Sequence, residues 1–501
     1  MRGRYGILGT VGLLLGLTVS GCAKASRYEA QPVRGGTQLV PVRLLPRAED
    51  TPDASSTVPP YLIWMKATPT SQEPEVPIRF VSAVRHPEEW SRLDDFWNPI
   101  TKAKPWPVFL GLPPLPAATL ALALPVEQEV VIKVPLGLDD PTPYIPVHNP
   151  PTVGKWELGK RLFFDDGYLL PPEANTKLAC ATCHVPKEGF AGSLFRFSQK
   201  ERFIATLLNC VYNQYQFWDG GVRDLEEVIQ GSIEDTAPLR QTAPDRQHAW
   251  PGLVQRLREY PDYDYRRQFR QVFGTDPTQD AIAKALATYM RTILTGDALQ
   301  DRVDQALRQR GAHEPTAADY EQQLAQTPLN RRRVLDLGHD PDDTSTLARE
   351  LARGYRLFHG KGMCIQCHSG ANYTDNFFHN VGVGDSGGEP LPGQESGRFA
   401  TLSIGLKDPL MIGAYKTPTL RGLPRRSRYF HDGSRLELLL VVKHHDRDKT
   451  YSPYLDPLFR DPAHPHRPRN LGLNDPDARA LVLFLYALDG QPVNRRVMER
   501  E

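Results

Sequence analysis

The sequence predicts a mainly α-helical chain in which one structural unit is used twice in tandem, preceded by a small β-rich region. Two observations carry this. The pentapeptide Cys180-Ala-Thr-Cys-His184 recurs as Cys364-Ile-Gln-Cys-His368, taking four of the six cysteines, and the flanks of the two copies repeat as well. Two thiols followed directly by a histidine are the signal for a covalently attached c-type haem. The thiols add to the vinyl groups, and the adjacent imidazole reaches the iron from its proximal side. A CxxC zinc site would need a second ligand pair nearby. A disulfide or a thioredoxin-like pair gives no reason for a histidine after both copies.

The first flank, Glu157-Leu158-Gly159-Lys160-Arg161-Leu162-Phe163, matches Arg353-Gly354-Tyr355-Arg356-Leu357-Phe358 in the second copy. Downstream, Thr206-Leu207-Leu208 precedes Phe217-Trp218-Asp219-Gly220, and Thr419-Leu420-Arg421 precedes Phe430-His431-Asp432-Gly433. Threonine to the residue before Asp-Gly is 12 positions in both copies. Such a repeat at fixed internal spacing indicates a duplicated unit. The fold class that follows is mainly α, with two cytochrome c-like haem domains in tandem.

The elements follow in order. A chain of 501 residues has room for two or three domains. The net charge of +1 without a basic block argues against a nucleic-acid partner. Residues 1–22 read as an export segment, with Arg2 and Arg4 ahead of an apolar stretch from Ile7 to Val19 that is too short to span a bilayer. Val19-Ser20-Gly21-Cys22 resembles a bacterial lipobox, which would lipidate Cys22. Ordinary cleavage near Ala23-Lys24-Ala25 is the alternative. With no aspartate after Cys22, the expected location is the outer membrane, on its periplasmic or cell-surface face. Export agrees with covalent haem attachment, which bacteria carry out outside the cytoplasm.

Residues 26–132 are proline-rich, with short apolar runs at Tyr61 to Trp64, Ile78 to Val81 and Val130 to Val134 that read as strands. Pro87 to Asn98 reads as one helix with proline in its first turn. From 135 to 302 a first haem domain is expected, with helices over Val153 to Phe164 and Ala281 to Leu294. Residues 303–345, charged and polar, read as a surface insertion. A second haem domain follows over 346–490, with helices over Leu347 to Phe358 and over Asp475 to Leu488, the latter capped by Asn474.

Leu162-Phe163-Phe164-Asp165, Cys180 to His184, Phe217-Trp218-Asp219-Gly220, Lys416-Thr-Pro-Thr-Leu-Arg421 and Tyr429-Phe-His-Asp-Gly433 together resemble the bacterial dihaem cytochrome c peroxidase family. That family includes MauG-type enzymes, which oxidise aromatic side chains of a partner protein. The resemblance covers roughly residues 135–490. It implies that the first haem meets hydrogen peroxide, while the second relays electrons from a small redox protein, a cytochrome c or a cupredoxin. It also implies a possible homodimer. MauG-type oxidation of a partner and non-catalytic electron transfer at the outer membrane are the competing readings.

By the resemblance, His184 and His368 are proximal iron ligands, Cys180, Cys183, Cys364 and Cys367 carry the haems, and Trp218 lies between the two haems. A packed core aromatic is the plainer reading of Trp218. The chain has no histidine between His184 and His248, so a first haem without bis-histidine ligation is expected, with a tyrosine or lysine as a possible sixth ligand. The family's distal glutamine and glutamate positions hold Val228 and Pro238, which cannot move protons. Glu234 or Asp235 could substitute there, or both could be solvated loop acids. The second haem's sixth ligand falls on His445, with His444 next and Met411 third. A histidine there would lower the potential relative to methionine.

The family's calcium ligands correspond to Phe203, Arg426 and Arg428, so that site is expected to be lost. Arg421 is expected to hold a haem propionate or to form a structural salt bridge. Cys210 reads as a buried small residue. His379 has no assigned role, and His464 and His466 read as surface residues.

Overall fold

A computed structural model describes residues 75–103, 126–171, 177–192, 194–197, 200–235, 249–383 and 397–500, together with strands 39–43 and 62–66. The export segment with Cys22, and Pro238, lie outside the described residues. The chain divides into two compact units, Met1–Ser71 and Gln72–Glu501. In the first, β1 (Leu39–Arg43) and β2 (Leu62–Lys66) pair antiparallel, with Leu39 opposite Lys66.

The second unit opens with a three-stranded sheet. β3 (Ile78–Val81) runs parallel to β5 (Val126–Lys133), and β4 (Trp97–Ala103) runs antiparallel to β5 on its other side. The helix expected over Pro87 to Asn98 stops early. α1 is Pro87–Arg92 only, and Leu93 is already extended. Trp97 and Ile100 then pair opposite Ile132 and Glu129. Strand pairing has overridden the local helix signal, as tertiary context commonly does. This sheet joins the helical part: Trp97 packs on Trp156 with ring centroids 4.6 Å apart, and Val153 N donates to Val76 O.

Helices dominate from there. α2 (Val153–Phe164) is capped by the Thr152 hydroxyl and crosses α6 (Gln279–Met290), capped by Thr278. Between them come α3 (Leu225–Asp235), α4 (Ala249–Arg258) and α5 (Tyr265–Phe273). Later, α10 (Thr344–His359) crosses α12 (Asp475–Ala487), the latter capped by Asn474. Both crossings are close because a glycine sits at the contact. A methyl group on Gly159 would overlap Ala285 O, and one on Gly354 would overlap Ala480 O.

The stretch 303–345 is not a surface insertion. α7 (Leu299–Gln309), α8 (Ala317–Leu324) and α9 (Arg331–Asp336) bury Val303, Leu307, Tyr320, Leu324 and Val334 in the same core as α10 and α12. Val303 and Leu307 are four apart, as are Tyr320 and Leu324, so each pair faces inward from a helix whose other faces are charged. Composition averaged over the stretch hides that stripe. Among the described residues no helix is long and apolar enough to cross a membrane.

Candidate haem sites

The first Cys-x-x-Cys segment forms a single helical turn, Cys180–Cys183, with His184 at its end. His184 Nδ1 lies 3.1 Å from Phe190 O. A carbonyl only accepts, so Nδ1 carries the proton and Nε2 keeps its lone pair. Burial, outweighing the carbonyls of Phe190 and Ala205, pulls the imidazole down to about 4 and keeps it neutral. The second copy repeats this. His368 Nδ1 lies 3.0 Å from Tyr373 O, and burial again lowers its pKa to about 4. In both copies the residue supplying the carbonyl is left-handed without being glycine: Phe190 at φ 53° and Tyr373 at φ 49°. A hydrogen bond that fixes the tautomer and aims the other nitrogen is what a metal-bound histidine needs.

The correspondence extends downstream. Thr206 Oγ1 accepts from Leu208 N at 3.1 Å, and Thr419 Oγ1 accepts from Arg421 N at 3.1 Å. The Trp-Asp-Gly and His-Asp-Gly turns are closed by matching bridges, Gln216 with Val222 and Tyr429 with Arg435. Phe217 and Phe430 are both left-handed, at φ 60° and 66°.

The second site opens onto a cavity of about 220 Å³ whose walls include Phe358, Cys364, Cys367, His368, Leu481 and His445. His445 lies on α11 (Leu438–Asp446) and its Nδ1 lies 2.9 Å from Val441 O, so its lone pair is also on Nε2. Burial lowers its pKa. His444 points elsewhere. Its Nε2 donates to Val381 O at 2.9 Å, and its buried Nδ1 has no hydrogen-bond partner. Met411 is not among the cavity's lining residues. Of the three candidates, the geometry brings His445 to the pocket of His368.

The walls suit a large apolar ring with anionic substituents. Lys416, Arg426, Lys449 and Arg469 all line the cavity. Burial lowers Lys416 and Lys449 to about 8, and Arg426 to about 10. Arg426 Nη2 donates to Arg421 O at 2.9 Å and Thr419 O at 3.2 Å, while its buried Nε has no partner. An unpartnered buried guanidinium nitrogen at the wall fits a carboxylate supplied by the cofactor.

Arg421 is the correction. It is 1% exposed and grips Asp301 through both Nη atoms, each at 2.8 Å. Its remaining bonds go to Ala371 O and Gly137 O. Arg421 is therefore a structural ion pair and does not line the cavity, whereas Arg426, five residues on, does. The sequence held no sign of which arginine Asp301 would claim.

His379 also lines the cavity, and sequence reading gave it no role. It bridges Asp456 at 2.7 Å and Asp375 at 2.9 Å. Burial opposes its charge, but the two carboxylates hold its pKa up to about 12. Asp375, four residues before His379, was the available signal.

Trp218 lies on the cavity wall, its Nε1 donating to Phe203 O at 2.8 Å. Its ring meets His431 edge-on at 6.4 Å, and His431 stacks on Tyr415 at 3.5 Å. Trp218 is thus a wall of the second site carried by the first half's chain. Glu234 is half-buried in the last turn of α3 and Val228 half-buried two turns earlier. Neither lines the described cavity. Of the residues marked for calcium, Phe203 N donates to His431 O, and Arg428 Nη1 to Gly433 O at 3.3 Å.

A sequence model of the di-haem cytochrome c peroxidase family matches residues 154–311. The methylamine utilization protein MauG of Methylorubrum extorquens is 29% identical over 355 residues, covering 69% of this chain and 81% of its own. The cytochrome-c peroxidase IdrP1 of Pseudomonas sp. (strain SCT) is 28% identical over 340 residues, covering 62% and 77%. Over residues 154–311 the chain is similar to the di-haem cytochrome c peroxidase family, and its relatives include MauG and cytochrome c peroxidases at 24–29% identity. For the fold, a MauG-like protein associated with microbial copper homeostasis superposes with a TM-score of 0.51 at 21% identity, covering 71% of this chain and 95% of that one. The matched model describes a di-haem cytochrome, in keeping with the two Cys-x-x-Cys-His segments, and the IdrP1 relative is by name a cytochrome-c peroxidase.

Proposed function

We propose that this chain is an exported dihaem peroxidase that reduces hydrogen peroxide at the haem of Cys180, Cys183 and His184. Electrons would come from a small redox protein by way of the haem of Cys364, Cys367 and His368. The observation that carries this reading is His445 and His368 facing one cavity with Trp218 on its wall. Each haem, when bound, supplies one-electron chemistry, and at an open iron position it can also cleave the O–O bond.

The chain's own residues divide the labour. His184 and His368 each offer a neutral Nε2, held by a carbonyl bond at Nδ1. His445 closes the second site, which suits storage of electrons over binding of substrate. Arg426 and Lys416 offset negative charge on the cavity wall. Trp218 links the first half to the second site. Glu234 is the proposed proton carrier on the distal side. The duplicated local geometry supports two cytochrome c-like domains in tandem, behind a β-rich N-terminal region. Cys22 would anchor the chain by a lipid to the outer membrane.

A second reading, oxidation of an aromatic residue of a partner protein, is favoured by the line of rings Trp218, His431 and Tyr415. Optical and electron-spin spectra before and after peroxide separate the readings. A high-spin first haem whose spectrum changes with peroxide is expected, followed by donor oxidation in the peroxidase case. Two low-spin haems inert to peroxide would leave an electron carrier.

A further inference from the structure

Four tyrosines lie between the first haem-attachment site and the surface. Tyr168 is fully buried, with its hydroxyl against the Cys180 sulfur and no hydrogen-bond partner of good geometry. Its ring centroid is 6.5 Å from that of Tyr265, also fully buried. Tyr265 in turn is 4.8 Å from Tyr263 and 5.2 Å from Tyr260, both half-buried at the surface. The phenols of Tyr265 and Tyr260 donate to the two oxygens of one carboxylate, Asp165, at 2.5 and 2.6 Å. Arg161 stacks over Tyr263 at 4.1 Å.

We propose that these tyrosines form a hole-transfer chain that lets the first haem oxidise phenolic reductants docked at Tyr260 and Tyr263. The proposal rests on the peroxidase reading above. Oxidising a phenol means removing an electron and a proton together, because the protonated radical is too acidic to persist. Asp165 is placed to take that proton from Tyr265 or Tyr260 and return it when the ring is reduced. Each transfer moves one electron inward: Tyr265 gives its electron across Tyr168 and its proton to Asp165. As Tyr260 refills that ring, Asp165 returns the proton to Tyr265 and takes that of Tyr260. Tyr168, whose hydroxyl has no base beside it, keeps its proton and serves as the packed bridge, while Tyr263 flanks the docking surface. A reductant ArOH at the surface refills the last ring, leaving as ArO• with release of a proton. Two such events balance one peroxide: H2O2 + 2 ArOH gives 2 H2O + 2 ArO•. One carboxylate serves both phenols, so the chain carries one hole at a time.

The test uses the full-length holoprotein with ferrous haems and no peroxide. Photogenerated tris-bipyridine ruthenium(III) in solution draws electrons from the surface, and oxidation of the first haem is followed optically. A phenoxyl transient preceding haem oxidation is expected. Both Tyr265→Phe and the milder double variant Tyr260→Phe/Tyr263→Phe should slow haem oxidation about tenfold or more, equivalent to ~1.4 kcal/mol of added barrier. Unaltered haem oxidation in both variants overturns the proposal. Because no peroxide is used, a first haem inert to peroxide would sink the peroxidase reading without touching this result. A companion measurement with peroxide should show a tyrosyl electron-spin signal that disappears in Tyr265→Phe; a signal that persists unchanged overturns the proposal too.

Discussion

At the residue scale, the two adjacent histidines of α11 behave oppositely because the helix sets them about 100° apart. His445 faces the cavity, whereas His444 is tied to Val381 O. His445→Met should therefore raise the second haem's reduction potential, read by spectroelectrochemistry. His444→Ala should leave the haem spectra alone while costing roughly 1 kcal/mol of stability for its lost buried hydrogen bond. The two arginines make a second contrast. Arg421→Met strands Asp301 in the core and should cost roughly 3–5 kcal/mol in denaturant unfolding with haem content retained. Arg426→Met should instead shift the second haem's potential. The two candidate proximal histidines stood out in the sequence because each directly follows a Cys-x-x-Cys pair, and both take the same carbonyl bond at Nδ1. The partner of an arginine did not, since Asp301 is 120 residues away and depends on how α7 packs.

At the scale of elements, helix existence was readable wherever the apolar period was long and the cap explicit. Asn474 was read as the cap of α12 and is one, while Thr152 and Thr278 turn out to cap α2 and α6 as well. The misreadings at 87–98 and 303–345 share a cause: local composition was set against contacts made far along the chain. The crossing glycines belong to this scale too. Gly159→Ala and Gly354→Ala should each force a helix pair apart, costing about 1–3 kcal/mol by thermal or denaturant melts. Gly231→Ala is the control. Nothing stands within 4 Å of an added methyl there, and the site lies inside α3. It should stabilise by about 0.5–1 kcal/mol.

At the scale of the whole molecule, two ionic clusters set limits on pH from opposite sides. Glu226 is buried, which would raise its pKa, but the two bonds from Arg291 at 2.7 Å and one from Asn149 more than offset this and lower it. A lowered pKa means its stabilisation is present above the unfolded value of 4.5 and is lost as pH falls through the folded one. His379 has the opposite sign. Its stabilisation is full below 6.5 and declines as pH rises toward about 12. Calorimetry across pH should show Glu226→Gln flattening the acid limb of Tm and His379→Gln flattening the alkaline limb. The duplication itself was plain in the sequence, since two motifs and one 12-residue spacing recur. The pairing of Glu226 with Arg291 and of His379 with Asp456 was not, because these join segments 65 and 77 residues apart.

The left-handed residues Phe190 and Tyr373 have a consequence for how the protein matures. Each costs roughly 1–2 kcal/mol relative to a relaxed backbone, and each is held there partly by the carbonyl bond to its proximal histidine. An iron bound to that histidine would stiffen the same ring, so cofactor and loop would hold one another. A precursor without haem should open first at these two loops, and protease nicking near 189–190 and 370–373 would then distinguish unfinished chains from finished ones.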